Sequence, residues 1–559
     1  MKRSSLLAGA LIGLATSLVM MAVSYLGSVL IGLPFLPFDL FDWLTRVLPG
    51  GLIAPILGAM ISIISALHLG PTDTTAKLAE QIQALGLVAL TGVVFGLMLV
   101  WVGAMHRAWL ERAGLVGGAI LWVGMVVVEV SLPSTSSGLF LSLTWLLILL
   151  AGWGWQLSRM LEIFARGAVQ PPTDNALSAD SGVTAFERQM TRRNMLVLAG
   201  TSAASVVVLL LGLEKYRQAG TAGSAALPSV GGATSTPHHI PYGPEYTSGP
   251  AASPSPAVLA ARIVPAPGTR AEITPVDQFY RVDINALPPV VDGSSWRLNL
   301  TGLVKNPISL TLDEVWARPS ITQAVTLSCV SNLVGGDLIG SNYWTGIRLK
   351  DILDEAGLQS GAQEIALTAA DGYYEGLSLD EAMDERTLLV YAMNGDPLTT
   401  EHGFPLRLYV PGHYGMKLPK WITQMEVIDH SAAGYWVDRG WSQTAIPQTT
   451  SVIDTVAVDK SDLQKTGIMP LGGIAWSGER GISKVEVQVD NQPWVTADLR
   501  SPTISPLTWV QWRYDWKPAP GSHTVQVRAT DGTGALQNLT STDPAPEGAT
   551  GIDSVQISI

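Results

Sequence analysis

Six apolar runs in the first 213 residues constrain the fold of this chain more than any other feature. Each run is about 18 to 25 residues long, which as a helix crosses the hydrocarbon core of a bilayer with its backbone polar groups bonded internally. The runs lie near residues 6–31, 50–69, 84–105, 115–132, 138–157 and 194–213. Helices buried in a soluble bundle keep a polar stripe for water, and these runs lack one. The sequence therefore predicts about six transmembrane helices.

Basic residues between the runs predict their orientation, because Arg and Lys concentrate in cytoplasmic loops. With six spans, one side carries Arg46, Arg107, Arg112, Arg159, Arg166, Arg188, Arg192 and Arg193, and the other carries Lys2, Arg3 and Lys77. This places everything after residue 213 on the extracytoplasmic face, with the N-terminus also outside despite its two positive charges. If one early run is re-entrant, the N-terminus moves to the cytoplasm and the C-terminal part stays outside.

The last apolar run follows T-R-R-N-M-L at residues 191–196. This sequence resembles a twin-arginine export signal, a route for domains that fold around a cofactor before they cross the membrane. Two arginines that anchor a helix at the membrane interface would explain the same residues. Both interpretations leave the C-terminal part outside.

After the apolar runs, the composition changes twice more. Residues 214–270 are rich in Gly, Pro, Ala and Ser with few large apolar residues, so they predict a linker. Residues 271–444 mix strand patterns such as WRLNLTGLV with helical patterns such as LKDILDEAGL. Residues 445–559 show strand patterns with turns between them, including one at Asp490-Asn491, which predict a β-sandwich.

Cys329 is the only cysteine among the 559 residues. A single cysteine excludes an intrachain disulfide, a Cys-x-x-Cys-His haem attachment, a four-cysteine cluster and a zinc site with several thiolates. Cys329 is then either a small buried hydrophobe or one thiolate ligand to a soft metal. The net charge of −12, with 14% charged residues, gives no sign of a nucleic-acid partner.

Four ordered motifs resemble the sulfite oxidase superfamily. They are FYRVDINALPPVVDGSSWRLNLTGLVKNP, TLSCVSNLVGGDLIGSNYWTGIRLKDIL, VYAMNGDPL and EHGFPLRLYVPGHYGMKLPKWI. Residues 279–441 are similar to the molybdopterin-binding domain of that superfamily, and 445–559 resemble its immunoglobulin-like dimerisation domain. The predicted fold is therefore an α-helical transmembrane bundle, an α/β molybdopterin domain and an all-β immunoglobulin-like sandwich.

The resemblance implies a molybdenum cofactor, Mo-molybdopterin, and favours the metal-ligand interpretation of Cys329, which matches the family's single coordinating cysteine. His402, Arg407 and Lys420 match its cofactor-contacting His, Arg and Lys, and positive charge suits the phosphate of the pterin. Taken singly, His402 would be a turn residue and Lys420 a solvated charge. The other matching positions are Phe279, Tyr280, Arg281, Asp371, Leu418 and Pro419, although Asp371-Gly is also a common turn.

The resemblance further implies oxygen-atom transfer at the metal, with molybdenum cycling between its six-valent and four-valent states. The predicted catalytic residues are Cys329, Arg281, Tyr435 and Arg439. Sulfite oxidases read Arg-Asn-His where this chain reads Arg281-Val282-Asp283, and they carry more arginines after the metal cysteine. Because a buried dianion needs several guanidinium groups, these departures place sulfite itself in question.

Three function classes follow. The favoured one is oxygen-atom transfer on a small sulfur compound or oxyanion such as sulfite. The second is a sulfoxide reductase resembling the bacterial protein-methionine-sulfoxide reductase, and the third is a scaffold without cofactor. Retention of the cofactor-matching residues counts against the scaffold.

The histidines of the membrane part bear on electron transfer. His68 and His106 fall at the ends of successive predicted spans, about 30 Å apart across the membrane, so one haem cannot use both. The spans are therefore interpreted as an anchor, with an external cytochrome or a separate membrane subunit as the electron carrier. The other predicted partners are a small-molecule substrate, membrane lipid and, through the sandwich, a second copy of the chain.

Overall fold

A computed structural model describes residues 3–67, 69–132, 138–167, 196–212, 256–455 and 460–559. Contacts divide the chain into two units. The first comprises Met1–Val47, Lys77–Ala219 and Asn285–Leu287, and the second comprises Leu48–Ala76, Gly220–Ile284 and Pro288–Ile559. His68, residues 191–195 of the arginine pair, and residues 214–255 of the predicted linker lie outside the described residues.

Long apolar helices dominate the N-terminal third of the chain. In chain order the helices up to the linker are α1 (Arg3–Ile31), α2 (Leu36–Val47), α3 (Gly50–Leu67), α4 (Thr72–Met105), α5 (Leu110–Ser131), α6 (Leu139–Gly167) and α7 (Leu196–Gly212). In the first unit, their buried faces meet in a core that includes Met21, Leu99, Leu146 and Leu157.

Four of the six predicted spans are helices long and apolar enough to cross a membrane, namely Ser5–Ile31, Thr72–Met105, Arg107–Ser131 and Leu139–Ala165. These helices suggest a multi-pass membrane protein. The predicted span at 50–69 is different, because Gly50–Ile64 joins Leu36–Val47 at a bend of 114°, as in a broken span or a re-entrant loop. Of the last predicted span, the structure describes Leu196–Gly212 as an apolar helix, and this described part is shorter than the about 20 residues of an ordinary span.

Helix α4 begins twelve residues before the apolar run that predicted it, and its 34 residues extend for about 51 Å, against about 30 Å of hydrocarbon. Its first turns are polar, and the side chains of Lys77 and Gln81 have partners within the first unit. Lys77 Nζ contacts Glu80 Oε2 at 2.8 Å and Asn285 O at 2.9 Å, and Gln81 Nε2 donates to Ala286 O at 3.3 Å. A search for apolar residues detects only the membrane-embedded part of such a helix.

Two five-stranded sheets form the middle of the chain, and both belong to the second unit. Their strands are β1 (Arg297–Gly302), β2 (Ile308–Thr311), β3 (Ile321–Ser328), β4 (Ile339–Arg348), β5 (Glu364–Ala369), β6 (Tyr374–Ser378), β7 (Leu388–Met393), β8 (Asp396–Pro397), β9 (Arg407–Tyr409) and β10 (Ile422–Ile428). One sheet has the order β2-β1-β10-β5-β6, with β1 and β10 parallel; the other has the order β3-β4-β7-β8, with β9 paired to β7. The pattern that predicted a strand in WRLNLTGLV is confirmed by β1.

Three short helices lie between these strands, namely α9 (Leu312–Trp316), α10 (Leu349–Ala356) and α11 (Leu379–Ala382). A further short helix, α8 (Pro256–Ala260), precedes β1. Helix α10 confirms the helix predicted from LKDILDEAGL. It ends at Gly357, whose φ of 68° favours glycine. Its residues Leu349 and Leu353 are fully buried in a core shared by both sheets.

The C-terminal part is a β-sandwich. Its elements are β11 (Thr450–Thr455), α12 (Lys460–Thr466), β12 (Met469–Trp476), β13 (Ile482–Val489), β14 (Val495–Thr496), β15 (Asp498–Leu499), β16 (Val510–Trp516), β17 (Ser522–Asp531) and β18 (Asp553–Ser558). The sheets have the orders β11-β12-β16-β15 and β14-β13-β17-β18. Asp490 and Asn491 turn the chain after β13 with φ of 50° and 61°, as predicted.

The sandwich packs against the strand that leads to the cysteine. Trp509 N donates to Thr326 Oγ1 at 2.8 Å, and Thr326 N donates to Leu507 O at 3.0 Å. A buried cluster that includes Val330 and Trp476 continues this contact. The last residues of the predicted linker also contact the sandwich, where Arg270 forms an ion pair with Asp454 at 2.6 Å.

Candidate active site

Cys329 lies immediately after β3, at the start of a tight turn. Its N–H donates to Leu338 O at 2.9 Å, and its carbonyl accepts from Asn332 N at 3.1 Å. The side chain is buried, with Sγ 3.0 Å from Ser331 Oγ. Burial raises the pKa of the thiol, and hydrogen bonds with Ser331 oppose the shift. The thiol is therefore protonated at neutral pH unless a metal ion displaces the proton.

Three aromatic or heteroaromatic rings cluster around Phe279. The Phe279 ring stacks on Tyr280, with centroids 5.2 Å apart, and meets Trp344 and His402 edge-on at 5.5 and 5.6 Å. Burial raises the pKa of Tyr280, and negative charge at Cys329 raises it further. Tyr280 therefore keeps its O–H proton close to the sulfur and can act as a hydrogen-bond donor.

Three basic side chains predicted to hold the cofactor lie together. Arg407 Nη1 donates to His402 O at 3.1 Å, and its guanidinium lies 4.7 Å from the Trp344 ring centroid. Lys420 Nζ donates to Glu401 O at 2.9 Å. Burial lowers the pKa of Arg407 to about 10 and that of Lys420 to about 8. Both groups carry a positive charge at neutral pH.

His402 supplies a neutral ring to this cluster. Burial lowers its pKa to about 3, and the charges of Lys420 and Arg407 reinforce the effect. Because Val276 O can only accept, Nε2 of His402 donates the hydrogen bond of 3.2 Å that joins them. Nδ1 then has a lone pair and can accept a hydrogen bond.

The donors fit the anionic end of a molybdopterin. Within the described part of the chain, no carboxylate forms an ion pair with the buried guanidinium of Arg407. A buried charge without a counter-ion is costly, and a phosphate would compensate it with charge-assisted hydrogen bonds. The described residues contain no group of three or more His, Cys, Asp or Glu that could hold a metal ion.

Arg281, in contrast, has acidic neighbours. Its Nη1 lies 3.1 Å from Glu401 Oε1, and its Nε lies 3.7 Å from Asp283 Oδ2. The same Asp283 oxygen is 3.5 Å from Lys420 Nζ. Burial raises the pKa of Glu401 to about 6, against the effect of Arg281. Much of the positive charge at Arg281 is therefore balanced inside the site.

Tyr435 and Arg439 belong to a neighbouring aromatic cluster. The Arg439 guanidinium lies 3.5 Å from the Tyr435 ring centroid, and its Nη1 donates to Tyr435 O at 2.8 Å. The Tyr435 ring is 5.4 Å from Tyr373. Burial raises the pKa of Tyr373, and charges at Glu375, Asp371, Tyr435 and Cys329 add to the shift. Tyr373 therefore keeps its O–H proton, which it donates to Met416 O at 2.5 Å.

The remaining predicted cofactor positions, Asp371, Leu418 and Pro419, are buried. Asp371 Oδ1 accepts from Tyr373 N at 2.9 Å in the Asp-Gly turn. Leu418 N donates to Gly415 O at 3.1 Å, and Pro419 O accepts from Leu408 N at 2.9 Å. Their cofactor contacts stay predictions.

Sequence reasoning missed three residues of this region. Tyr373 follows the Asp371-Gly372 turn, and Glu401 directly precedes His402, so adjacency to a predicted residue was the only available signal. Asp283 was noticed as a departure from the family, but its ion pairs depend on tertiary contacts that no local pattern encodes.

Comparisons with known proteins show which family this part of the chain resembles. The family profile of the oxidoreductase molybdopterin binding domain matches residues 285–436. Sulfite oxidase of Arabidopsis thaliana is 30% identical over 274 residues, which are 40% of this chain and 70% of that protein. The uncharacterized oxidoreductase YuiH of Bacillus subtilis is 35% identical over 161 residues, 29% of this chain and 79% of that protein. The putative protein-methionine-sulfoxide reductase subunit YedZ1 of Azospira oryzae is 33% identical over 152 residues, 27% of this chain and 56% of that protein.

Proposed function

The chain belongs to the sulfite oxidase family of molybdopterin oxidoreductases, and on that premise we propose that it is a membrane-anchored enzyme that transfers an oxygen atom on a small sulfur compound or oxyanion such as sulfite. The observation that carries the proposal is the buried Arg407, which lacks an ion pair within the described residues and lies in one cluster with His402 and Lys420. An anionic group completes this cluster, and the phosphate of molybdopterin supplies one.

The side chains then have distinct roles. Cys329 Sγ would hold the metal, while Arg407, Lys420 and neutral His402 would hold the phosphate end of the pterin. When bound, the cofactor supplies two-electron oxygen-atom transfer. Tyr280 keeps its proton and would donate a hydrogen bond to a bound group. Arg281 would orient the substrate.

Sulfoxide reduction is a second candidate, and the environment of Arg281 favours it. Because Glu401 and Asp283 balance the charge of Arg281, the pocket suits a neutral sulfur–oxygen group better than a dianion needing several free guanidinium groups. The Azospira relative is named as a putative subunit of a protein-methionine-sulfoxide reductase.

We place the catalytic domain on the extracytoplasmic face. Leu48–Ala76 belongs to the same unit as this domain, and Thr72 N donates to Asp337 Oδ2 at 2.9 Å. The bent pair α2–α3 is then re-entrant, and α1 places the N-terminus on the opposite side. The basic residues on that cytoplasmic side become Lys2, Arg3, Arg107, Arg112, Arg159, Arg166, Arg188, Arg192 and Arg193, leaving Arg46 and Lys77 outside. This topology removes the external positive N-terminus of the six-span arrangement.

An external cytochrome or a separate membrane subunit is the proposed electron carrier, and the sandwich is the proposed surface for pairing with a second copy.

Fusions of alkaline phosphatase test the proposed topology, because this enzyme is active only outside the cytoplasm. Fusions after residue 35 and after residue 213 should both be active. An inactive fusion after residue 35 would contradict the re-entrant topology.

Two dye assays on the purified full chain test the chemistry. Sulfite-dependent reduction of ferricyanide is expected, and methionine-sulfoxide-dependent oxidation of reduced viologen would instead identify the second candidate. The matched control is Cys329→Ser, which should abolish either activity. Absence of both activities in a molybdenum-loaded preparation would refute the proposed substrate class.

A further inference from the structure

We propose that Asp73, in the first turn of helix α4, is a positioning residue for Arg281, so that the start of a membrane helix is part of the frame of the active site. The proposal rests on the proposed function only where it assigns substrate binding to Arg281. The contacts that support it all involve residues far apart in sequence.

The first contact joins Asp73 directly to Arg281. Asp73 Oδ2 accepts from Arg281 N at 3.0 Å, across 208 residues of sequence. The other oxygen, Oδ1, accepts from Thr74 N at 2.6 Å and orients the carboxylate at the helix start. Because the backbone of Arg281 is fixed by this bond, the position from which its guanidinium reaches Glu401 and Asp283 is fixed too.

A second contact joins the same helix turn to the cysteine loop. Thr72 N donates to Asp337 Oδ2 at 2.9 Å. The first backbone N–H groups of an α-helix have no hydrogen-bond partner inside the helix, and the Asp337 carboxylate accepts from one of them. Asp337 directly precedes Leu338, whose carbonyl accepts from Cys329 N. Two neighbouring residues of α4 therefore hold both the segment of Arg281 and the loop of Cys329.

The same face of α4 continues along the chain that leaves Arg281. Lys77 and Gln81 follow Asp73 at intervals of four residues, which places the three side chains on one helix face. Lys77 Nζ contacts Asn285 O at 2.9 Å, and Gln81 Nε2 contacts Ala286 O at 3.3 Å. The polar residues at the start of α4 thus bind the backbone of the segment that follows Arg281.

Helix α3 adds a contact at the second predicted substrate arginine. A Cβ placed on Gly50 would lie 2.3 Å from the Cα and O of Arg439. Only glycine allows this approach. Helix α3 and the first turn of α4 therefore contact the backbone at Arg439 and Arg281, respectively.

Removal of the Asp73 carboxylate should weaken substrate binding more than turnover. A hydrogen bond to a backbone N–H contributes about 1 kcal/mol, which corresponds to about a fivefold change in an equilibrium constant. We expect Asp73→Ala to raise the KM for sulfite about fivefold with kcat nearly unchanged. Asp73→Asn keeps an acceptor oxygen for Arg281 N and should restore most of the KM.

The experiment compares Asp73→Ala and Asp73→Asn with Asp277→Ala, which removes an exposed carboxylate four residues before Arg281. Steady-state kinetics with sulfite and hydrogen–deuterium exchange of peptides covering 279–284 are measured on the full chain in detergent, with molybdenum content as a reference. We expect faster exchange and higher KM only in Asp73→Ala, at unchanged molybdenum content.

Wild-type KM together with wild-type exchange in Asp73→Ala would overturn the proposal, as would an Asn variant as impaired as the Ala variant. Failure of the proposed function would look different. The wild-type protein would then lack molybdenum or sulfite turnover, while the exchange experiment would still report whether Asp73 holds Arg281.

Discussion

Arg407→Met should have opposite effects on the cofactor-free and the loaded protein. In the absence of cofactor, Arg407 is a buried charge without an ion pair in the described residues. In the loaded protein, the same charge would bind the pterin phosphate. Methionine fills a similar volume without the charge. The substitution therefore separates the effect of the buried charge on folding from its effect on cofactor binding.

The magnitude follows from the pKa of Arg407, which burial lowers to about 10 from an ordinary value of about 12.5. This difference corresponds to about 3 kcal/mol against folding. Because the folded pKa is the lower one, the cost is fully present below about pH 10, including at neutral pH. Methionine loses the hydrogen bond to His402 O, worth about 1 kcal/mol. The free energy of unfolding of the cofactor-free variant should therefore rise by about 2 kcal/mol, which corresponds to about 5 °C in Tm.

The loaded protein should respond in the opposite direction. Loss of a charge-assisted hydrogen bond to a buried phosphate costs about 2 kcal/mol, which is about a thirtyfold loss of cofactor affinity. Thermal unfolding of full chains from a host blocked in cofactor synthesis measures the first effect. Molybdenum per chain from an intact host measures the second.

Arg386→Met is the matched control, because the Arg386 guanidinium forms ion pairs with Asp384 at 2.6 Å and Glu479 at 3.0 Å. It should lower the Tm of the cofactor-free chain and leave the molybdenum content unchanged. An Arg407→Met chain that melts below the wild type without cofactor, or that retains wild-type molybdenum, would refute the reasoning.

Two further predictions concern charged groups near the site. Above about pH 6, the pKa to which burial raises Glu401, its carboxylate is ionised and pairs with Arg281, so the inhibition constant of sulfate should fall as the pH drops from about 8 to 5. Glu401→Gln should remove this dependence, and a flat wild-type profile would contradict the assignment. Lys417→Met leaves the buried Glu375 without its cation at 2.7 Å and should destabilise the fold by about 3 kcal/mol in thermal unfolding. Addition of Glu375→Gln should restore stability, and an undiminished Tm in the single variant would count against the ion pair.

Local patterns predicted most of the architecture. Alternating strands, the helix at LKDILDEAGL and the Asp490-Asn491 turn depend on residues close in sequence, and each is confirmed. The long apolar helices follow from composition alone. The sequence could not predict the bend between α2 and α3, because an apolar run of span length does not show whether it crosses the membrane or returns to the same side.

The candidate site was predictable only in part. Cys329, His402, Arg407 and Lys420 came from motifs, and the structure brings the last three into one cluster, with His402 and Arg407 buried and Lys420 partly buried. The balance of charge at Arg281 was not predictable, since its ion pair with Glu401 crosses 120 residues. The same holds for Asp73, because a polar first turn on a long helix has no local signature of a distant partner.

The molybdenum content of the purified full chain, measured beside Cys329→Ser after expression with an intact cofactor pathway, tests the central claim most directly. The account predicts close to one molybdenum atom per wild-type chain and loss of the metal or of turnover in the serine variant. A wild-type chain without molybdenum, or a serine variant with full metal and full activity, would contradict it.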